Sequence, residues 1–236
     1  MNKIQRAVLF ATEKHKTQLR KGTNIPYIVH PIGVMEILMH AGASNYAIVA
    51  GILHDTLEDT DTTYEELRKA FGKRIADIVH ACSETDKSQP WERRKIAALD
   101  ALSKCRDKDV LAVIFADKTH NLQSIHRDWI EQDGEIWHRF KAGEYQQMWY
   151  YGEICEIAKK KAKTADPKIR SILFEYWWEY DKFCKHRVDI MTNFGRMCAG
   201  IDREDWEPWY DEDLLGLTPW ERLAGIKEYR KKQSGK

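Results

Sequence analysis

The chain has 236 residues, enough to bury a sizeable core without covalent staples. Lys and Arg total 38 against 37 Asp and Glu, and a net charge of +1 argues against a basic surface built for nucleic acid or membrane. The five cysteines form no CxxC pair, no signal-peptide core opens the chain and no apolar run approaches ~18 residues, so a soluble protein of the reducing cytoplasm is expected, with no membrane and no nucleic-acid partner.

Ile4, Ala7, Val8, Ala11, His15 and Leu19 recur at helical spacing over residues 2–20, and Arg20-Lys21-Gly22-Thr23 ends that helix with a basic pair and a glycine stop. An extended piece from Ile25 to Val29 follows. Pro31 suits the first turn of a second helix over 31–42, closed by Gly42. A third helix is read from Asn45 to about Asp59. A fourth opens near Asp61, with a capping box from Thr62 to Glu65 or from Thr63 to Glu66. Gly72 breaks it, and Ile75, Ile78, Val79 and Cys82 mark a fifth. Pro90 starts a helix to about Cys105 with Arg93, Arg94 and Lys95 on an exposed basic face.

The apolar run from Val110 to Ala116 is too short for periodicity to tell strand from helix. It enters Asp117-Lys118-Thr119-His120-Asn121-Leu122 without a turn signal, and no second strand is in sight, so a buried helix is expected. Residues 135–160 read as an aromatic-rich helix and 167–195 as a long one. Asp202 to Asp213 reads as an acidic, aromatic loop, and Thr218-Pro219 starts a last amphipathic helix. The fold class is all-α, divided into residues 1–164 and a helical extension, 165–236, packed on them.

Within Gly51 to Thr60 an apolar start gives way to His54, Asp55, Glu58 and Asp59. On a helix His54 shares a face with Glu58, and Asp55 with Asp59. A His-Asp pair by itself is most often a surface ion pair. Here it ends the apolar stretch Ala47 to Leu53, and Asp117 ends a second apolar run. Buried carboxylates and imidazoles are costly unless paired or metal-bound, so the two helices point to a shared polar pocket. His30, set by Pro31, can supply a fourth ligand. Two imidazoles with two carboxylates suit Mn²⁺, Zn²⁺, Fe²⁺ or Co²⁺ better than Ca²⁺ or Mg²⁺.

Four segments then carry a resemblance. Arg20-Lys21 stands before Pro26-Tyr27-Ile28-Val29-His30-Pro31-Ile32; Leu53-His54-Asp55-Thr56-Leu57-Glu58-Asp59-Thr60 follows, then Phe71-Gly72, then Ala116 to Leu122. In type, order and spacing they resemble an HD-domain phosphohydrolase. More narrowly they are similar to the hydrolase domain of RelA/SpoT-type alarmone enzymes and to small, Mesh1-like alarmone hydrolases. The resemblance spans residues 3–160 and implies His30, His54, Asp55 and Asp117 as ligands of one divalent ion, commonly Mn²⁺. It implies Glu58 and Asp59 as the water-activating pair, with Glu58 the main proton acceptor. It places Arg20 and Lys21 beside the nucleotide, Asn121 on ribose or phosphate and Lys87 on phosphate; Lys118 reads as a phosphate contact or a surface residue, and Tyr145 as a stacking residue near the base or a core aromatic. Thr85 departs from the pattern by replacing an acid before Asp86-Lys87.

The implied activity is removal of the 3′-pyrophosphate from (p)ppGpp or a related alarmone. Three alternatives stay open: hydrolysis of another nucleotide such as NADPH or a cyclic nucleotide, an antitoxin acting against a toxic alarmone synthetase, and a non-catalytic interaction module. A homodimer or a toxin partner stays open with them. His120 reads as structural, and the remaining histidines as ordinary surface or core residues. Residues 165–236 exceed the usual length of the small hydrolases and read most simply as additional core.

Overall fold

A capping box opens the first helix: Asn2 and Gln5 exchange side-chain-to-backbone hydrogen bonds of 2.9 Å in both directions. The computed structural model describes residues 1–84, 88–132 and 135–198, with side chains through residue 185. Helix α1 (Lys3–Lys14) stops short of the expected end at residue 20. Long-range pairing takes over. The Tyr27 N–H donates to the Gln18 carbonyl (2.9 Å), Arg20 N–H donates to the Ile25 carbonyl (2.8 Å), and Leu19 forms an isolated bridge with Pro26. Arg20 and Lys21 therefore sit on a folded-back loop, not on a helix end.

Helix α2 (Val29–His40) starts two residues before Pro31, with His30 in its first turn. Ser44 caps α3 (Asn45–Leu53) by accepting from the Ala47 N–H at 3.1 Å, and Ala47 through Leu53 are all buried. The single helix expected from Asn45 to Asp59 is in fact two. It breaks at His54 and Asp55, and α4 (Thr56–Asp59) follows. Two side chains compete for the carbonyls at the break: His54 Nδ1 bonds the Gly51 carbonyl at 2.8 Å, and the Thr56 hydroxyl donates to the Leu53 carbonyl at 2.7 Å. Gly51 also allows close approach of α2, since a Cβ there would lie 2.4 Å from a Leu38 methyl.

Thr63 is the residue that caps α5 (Tyr64–Phe71), accepting from the Glu66 N–H at 3.2 Å. Helices α6 (Lys73–Cys82) and α7 (Trp91–Lys104) follow. Arg94 and Lys95 on α7 are half-buried, which corrects the exposed basic face expected there; only Arg93 of the three is exposed. Asp107 caps α8 (Lys108–Glu131), accepting from the N–H groups of Asp109 and Val110. The apolar run is thus the first half of a long buried helix.

The aromatic stretch after it begins as a turn and a single 3-10 turn, Trp137–Arg139, before α9 (Glu144–Ala162). The helix expected from residue 135 starts nine residues later, behind the Gly143 cap. Asp166 then caps α10 (Pro167–Cys198), taking the N–H groups of Lys168 and Ile169 at 3.1 and 3.2 Å.

Helix α8 is central. It packs against α2, α3, α6 and α10, and Ala112, Val113, Phe115 and Ala116 are shut off from solvent. Helix α3 meets α1, α2 and α6, and α9 lies against α7 and α10. Tyr176 and Phe183 of α10 are fully buried, and the Tyr176 hydroxyl donates to the Tyr151 carbonyl at 2.7 Å. Among the described residues no strand is present and no helix is long and apolar enough to cross a membrane. The Asp202 to Asp213 loop and the helix expected after Thr218 lie outside the described residues.

Candidate metal centre and active site

Three elements deliver polar side chains to one buried point. The first turn of α2 brings His30, the break between α3 and α4 brings His54 and Asp55, and the middle of α8 brings Asp117. His30 Nε2 lies 3.2 Å from His54 Nε2 and 3.1 Å from Asp117 Oδ1. His54 Nε2 lies 3.0 Å from Asp55 Oδ2 and 3.6 Å from Asp117 Oδ1, and His30 Nε2 is 3.6 Å from the same Asp55 oxygen. Ligands about 2.1 Å from one ion lie roughly 3.0–3.4 Å apart at octahedral or tetrahedral angles. Three of the five separations fall in that range and two, at 3.6 Å, lie just beyond it, and the mixed nitrogen and oxygen donors suit a divalent transition metal. His30, His54 and Asp117 by themselves form a compact set of donors able to hold an ion.

The electrostatics reflect two carboxylates that demand a cation. Burial opposes charge on His54, but the Asp55 charge and the bonds to Asp117 and Asp55 outweigh it and hold this imidazole well above its usual pKa. Burial dominates at His30 and lowers it. Burial also works against the Asp117 carboxylate, yet Lys118 and the two imidazoles keep it ionised well below the usual range. Asp55 is likewise held low against its burial, chiefly by His54.

Around this core the structure groups several of the residues singled out from the sequence. Lys118 Nζ is 2.7 Å from Asp117 Oδ2. Asn121 Nδ2 donates to Asp117 Oδ1 at 2.5 Å, and its own oxygen accepts from Arg20 Nη2 at 2.8 Å. Arg20 also stacks over the Tyr27 ring at 5.5 Å. Lys21 lies 5.5 Å from the centre of the Phe140 ring, and burial beside Lys141 lowers its pKa. Glu58 is half-buried, with Oε2 accepting from the Glu84 N–H at 3.0 Å, while Asp59 is exposed. Tyr145 stands half-buried in the first turn of α9. Lys87 lies outside the described residues.

Three neighbours contribute that the sequence does not single out for the site. The Tyr27 hydroxyl donates to Asp55 Oδ2 at 2.6 Å and reaches Asp59 Oδ2 at 3.5 Å. Burial and Asp55 raise its pKa, so it stays a donor. Its place inside the Pro26 to Ile32 segment was the available signal. Glu84 pairs with Arg94 at 2.6 Å and with Lys95, anchoring the segment whose N–H meets Glu58. Nothing local to Glu84 announces this. His120, read as structural, contacts His30 directly. Burial lowers its pKa to about 3, which keeps it neutral.

An all-α bundle whose polar heart is a His-Asp pair joined to a histidine and an aspartate from neighbouring helices defines a class of metal-centred helical domain. The chain belongs to the HD domain family, which matches residues 7–142. It is 40% identical over 251 residues to a guanosine-3′,5′-bis(diphosphate) 3′-pyrophosphohydrolase of Aquifex aeolicus, covering 91% of this chain and 34% of that relative. It is 42% identical over 136 residues to the enzyme of that name, MESH1, from Xenopus tropicalis, covering 55% of this chain and 75% of the relative. The chain thus spans about a third of the length of the Aquifex protein. The structure of a metazoan ortholog of SpoT shares the fold, with a TM-score of 0.61 and 23% identity over 79% of this chain and 96% of the other.

Proposed function

We propose that this chain is a divalent-metal-dependent phosphohydrolase, with Mn²⁺ the favoured ion, that removes the 3′-pyrophosphate of (p)ppGpp or a related alarmone in the cytoplasm. The observation that carries the reading is the convergence of His30, His54, Asp55 and Asp117 on one point, with Glu58 and Asp59 on the next helical turn. The names borne by the Aquifex and Xenopus relatives support the substrate. Residues 1–164 form the catalytic unit in this reading, and 165–236 extend it.

His30, His54, Asp55 and Asp117 would hold a divalent ion, which would supply Lewis-acid activation of water and neutralise phosphate charge. Glu58 accepts the proton of the attacking water, and its carboxylate is steadied for that task by the Glu84 N–H. Asp59, on the Tyr27 side, orients the same water. The water oxygen bonds to the phosphorus next to the ribose, the bond from that phosphorus to O3′ breaks, and pyrophosphate leaves as the ribose oxygen takes a proton. Lys118 and Lys87 hold phosphate oxygens, Arg20 and Lys21 flank the nucleotide, Asn121 bonds ribose or phosphate, and Tyr145 stands near the base.

The test is a nucleotide panel with the purified chain and Mn²⁺. Pyrophosphate release from ppGpp, stopped by EDTA, is the expected result. Survival of ppGpp while NADPH or a cyclic nucleotide is consumed would show that the substrate is wrong. Glu58→Gln should keep the ion and slow turnover by about 10²- to 10⁴-fold; loss of the ion instead would make Glu58 a ligand.

A further inference from the structure

A histidine that binds a metal through one ring nitrogen leaves the other for the protein to manage, and that second bond sets which nitrogen carries the hydrogen. His54 meets this need conventionally. Its Nδ1 faces the Gly51 carbonyl at 2.8 Å, a group that only accepts, so Nδ1 keeps a hydrogen and Nε2 is the nitrogen that would turn a lone pair to an ion once it gives up its own proton. The second bond of His30 goes instead to another imidazole: its Nδ1 lies 2.8 Å from Nδ1 of His120, with ring centres 4.9 Å apart.

Two neutral rings share one hydrogen across that contact. If His120 donated it, the hydrogen of His30 would sit on Nε2, aimed at Asp117 Oδ1 and His54 Nε2 at 3.1 and 3.2 Å, and His30 could not ligate. With the hydrogen on His30 Nδ1 and His120 accepting, the His30 lone pair faces inward beside His54 Nε2. The cluster works as a metal site only in the second arrangement.

The place His120 occupies is kept open by a glycine. Gly33 follows His30 by three residues on α2, and His120 follows Asp117 by three on α8, so each helix presents a ligand and its support on one face. A Cβ at Gly33 would lie 2.0 Å from Cδ2 and 2.2 Å from Nε2 of His120. The ring fills the space where a side chain would be, and any larger residue at 33 must push it away from His30.

We propose that His120 is a positioning residue that holds His30 in the tautomer able to bind metal, and that Gly33 provides the space it stands in. The proposal rests on the reading of the cluster as a metal site. It is tested by titrating the full chain with Mn²⁺ alone and following the bound ion by electron paramagnetic resonance. His120→Phe keeps an aromatic ring but removes the acceptor, and should weaken Mn²⁺ binding about 10- to 100-fold. His120→Asn, whose Oδ1 stands near the place of Nδ1 and only accepts, should recover most of that loss. Gly33→Ala should weaken binding in the same direction, with the metal-free chain unfolding at a midpoint close to wild type.

Equal Mn²⁺ affinity in wild type and His120→Phe would overturn the proposal, as would His120→Asn performing no better than His120→Phe. Should His120→Phe fail to fold, Gly33→Ala decides, and unchanged affinity there overturns it. A wild-type chain that binds Mn²⁺ but spares ppGpp removes the substrate reading alone. One that takes up no Mn²⁺ removes both.

Discussion

Helix α8 has two working faces, and they are held together by opposite means. Toward α2 and α3 it presents Asp117, His120 and Asn121, joined to their neighbours and to one another by ion pairs and hydrogen bonds. Toward α10 it presents Phe115, His126 and Trp129, which meet Tyr176 and Phe183 ring to ring at 5.0–5.9 Å. The first face buries carboxylates and imidazoles, groups that lose hydration and recover it only through partners or an ion. The second buries aromatic area, which stabilises the folded chain outright. One helix therefore separates the tasks: its α10 side provides rigidity, and its α2 side spends part of that stability on a site that requires a cation.

The largest effect that would test this division is on the polar face. Asp117→Asn removes a charged acceptor that meets both imidazoles, Lys118 and Asn121. Mn²⁺ uptake should be lost and pyrophosphate release should fall by more than about 10³-fold, beyond the 10- to 100-fold typical of an outer-sphere partner. Retained Mn²⁺ binding would mean that the ion sits elsewhere. Phe183→Ala is the counterpart. It empties a fully buried ring site between His126, Trp129 and Trp137, and should cost about 3–5 kcal/mol in urea unfolding while the folded chain keeps its Mn²⁺ affinity. Loss of Mn²⁺ by that folded variant would show that the faces are not separable.

The sequence made one half of this picture legible and hid the other. The helical identity of α8 was readable because Val110 to Leu122 runs on without a turn signal. The donors were readable because His54, Asp55 and Asp117 each end an apolar stretch. What could not be read depends on contacts between distant segments. The early end of α1 follows from pairing of Gln18 and Arg20 with Tyr27 and Ile25. The break at His54 follows from side chains competing for Gly51 and Leu53 carbonyls, a competition invisible to periodicity. His120 could be read only as structural, because its partner is 90 residues away. Arg94 and Lys95 looked like a solvated face because their partner Glu84 lies off their own helix, ten and eleven residues earlier.

A smaller effect sharpens the electrostatic side. In the metal-free chain Asp55 and Asp117 hold the His54 imidazole charged well above its usual range, so the proton stands where an ion would. The ring must lose it to ligate. Mn²⁺ uptake near neutral pH should release a proton, and apparent affinity should strengthen by about tenfold per pH unit for each proton displaced, levelling once His54 is neutral in the free chain. Calorimetry in buffers of different ionisation enthalpy reads the proton directly. Affinity that strengthened as pH fell would contradict the assignment.

The smallest expected effect lies at the start of α8, about 15 Å along the axis from Asp117. Asp107 caps this helix and accepts from Arg74 Nη1 and Nη2 at 2.6 and 2.8 Å, which holds its carboxyl below the usual range against a minor burial effect. A depressed carboxyl stabilises the fold above its unfolded pKa near 3.9, and that contribution disappears as pH falls from there through the lower folded value. Both side chains are more than a third exposed, so solvent screens the pair. Asp107→Asn keeps an oxygen for the cap and loses the charge. It should cost less than about 1 kcal/mol at pH 7, and the difference from wild type should narrow as pH falls below the unfolded value and close beneath the lower folded one. A gap that persisted in acid would assign the loss to cap geometry and not to the Arg74 pair. Mn²⁺ affinity at neutral pH should stay at the wild-type value, because nothing in the cap touches His30, His54, Asp55 or Asp117. A change there would mean that the α8 terminus sets the position of Asp117, and that the polar face depends on the whole helix as much as on its neighbours.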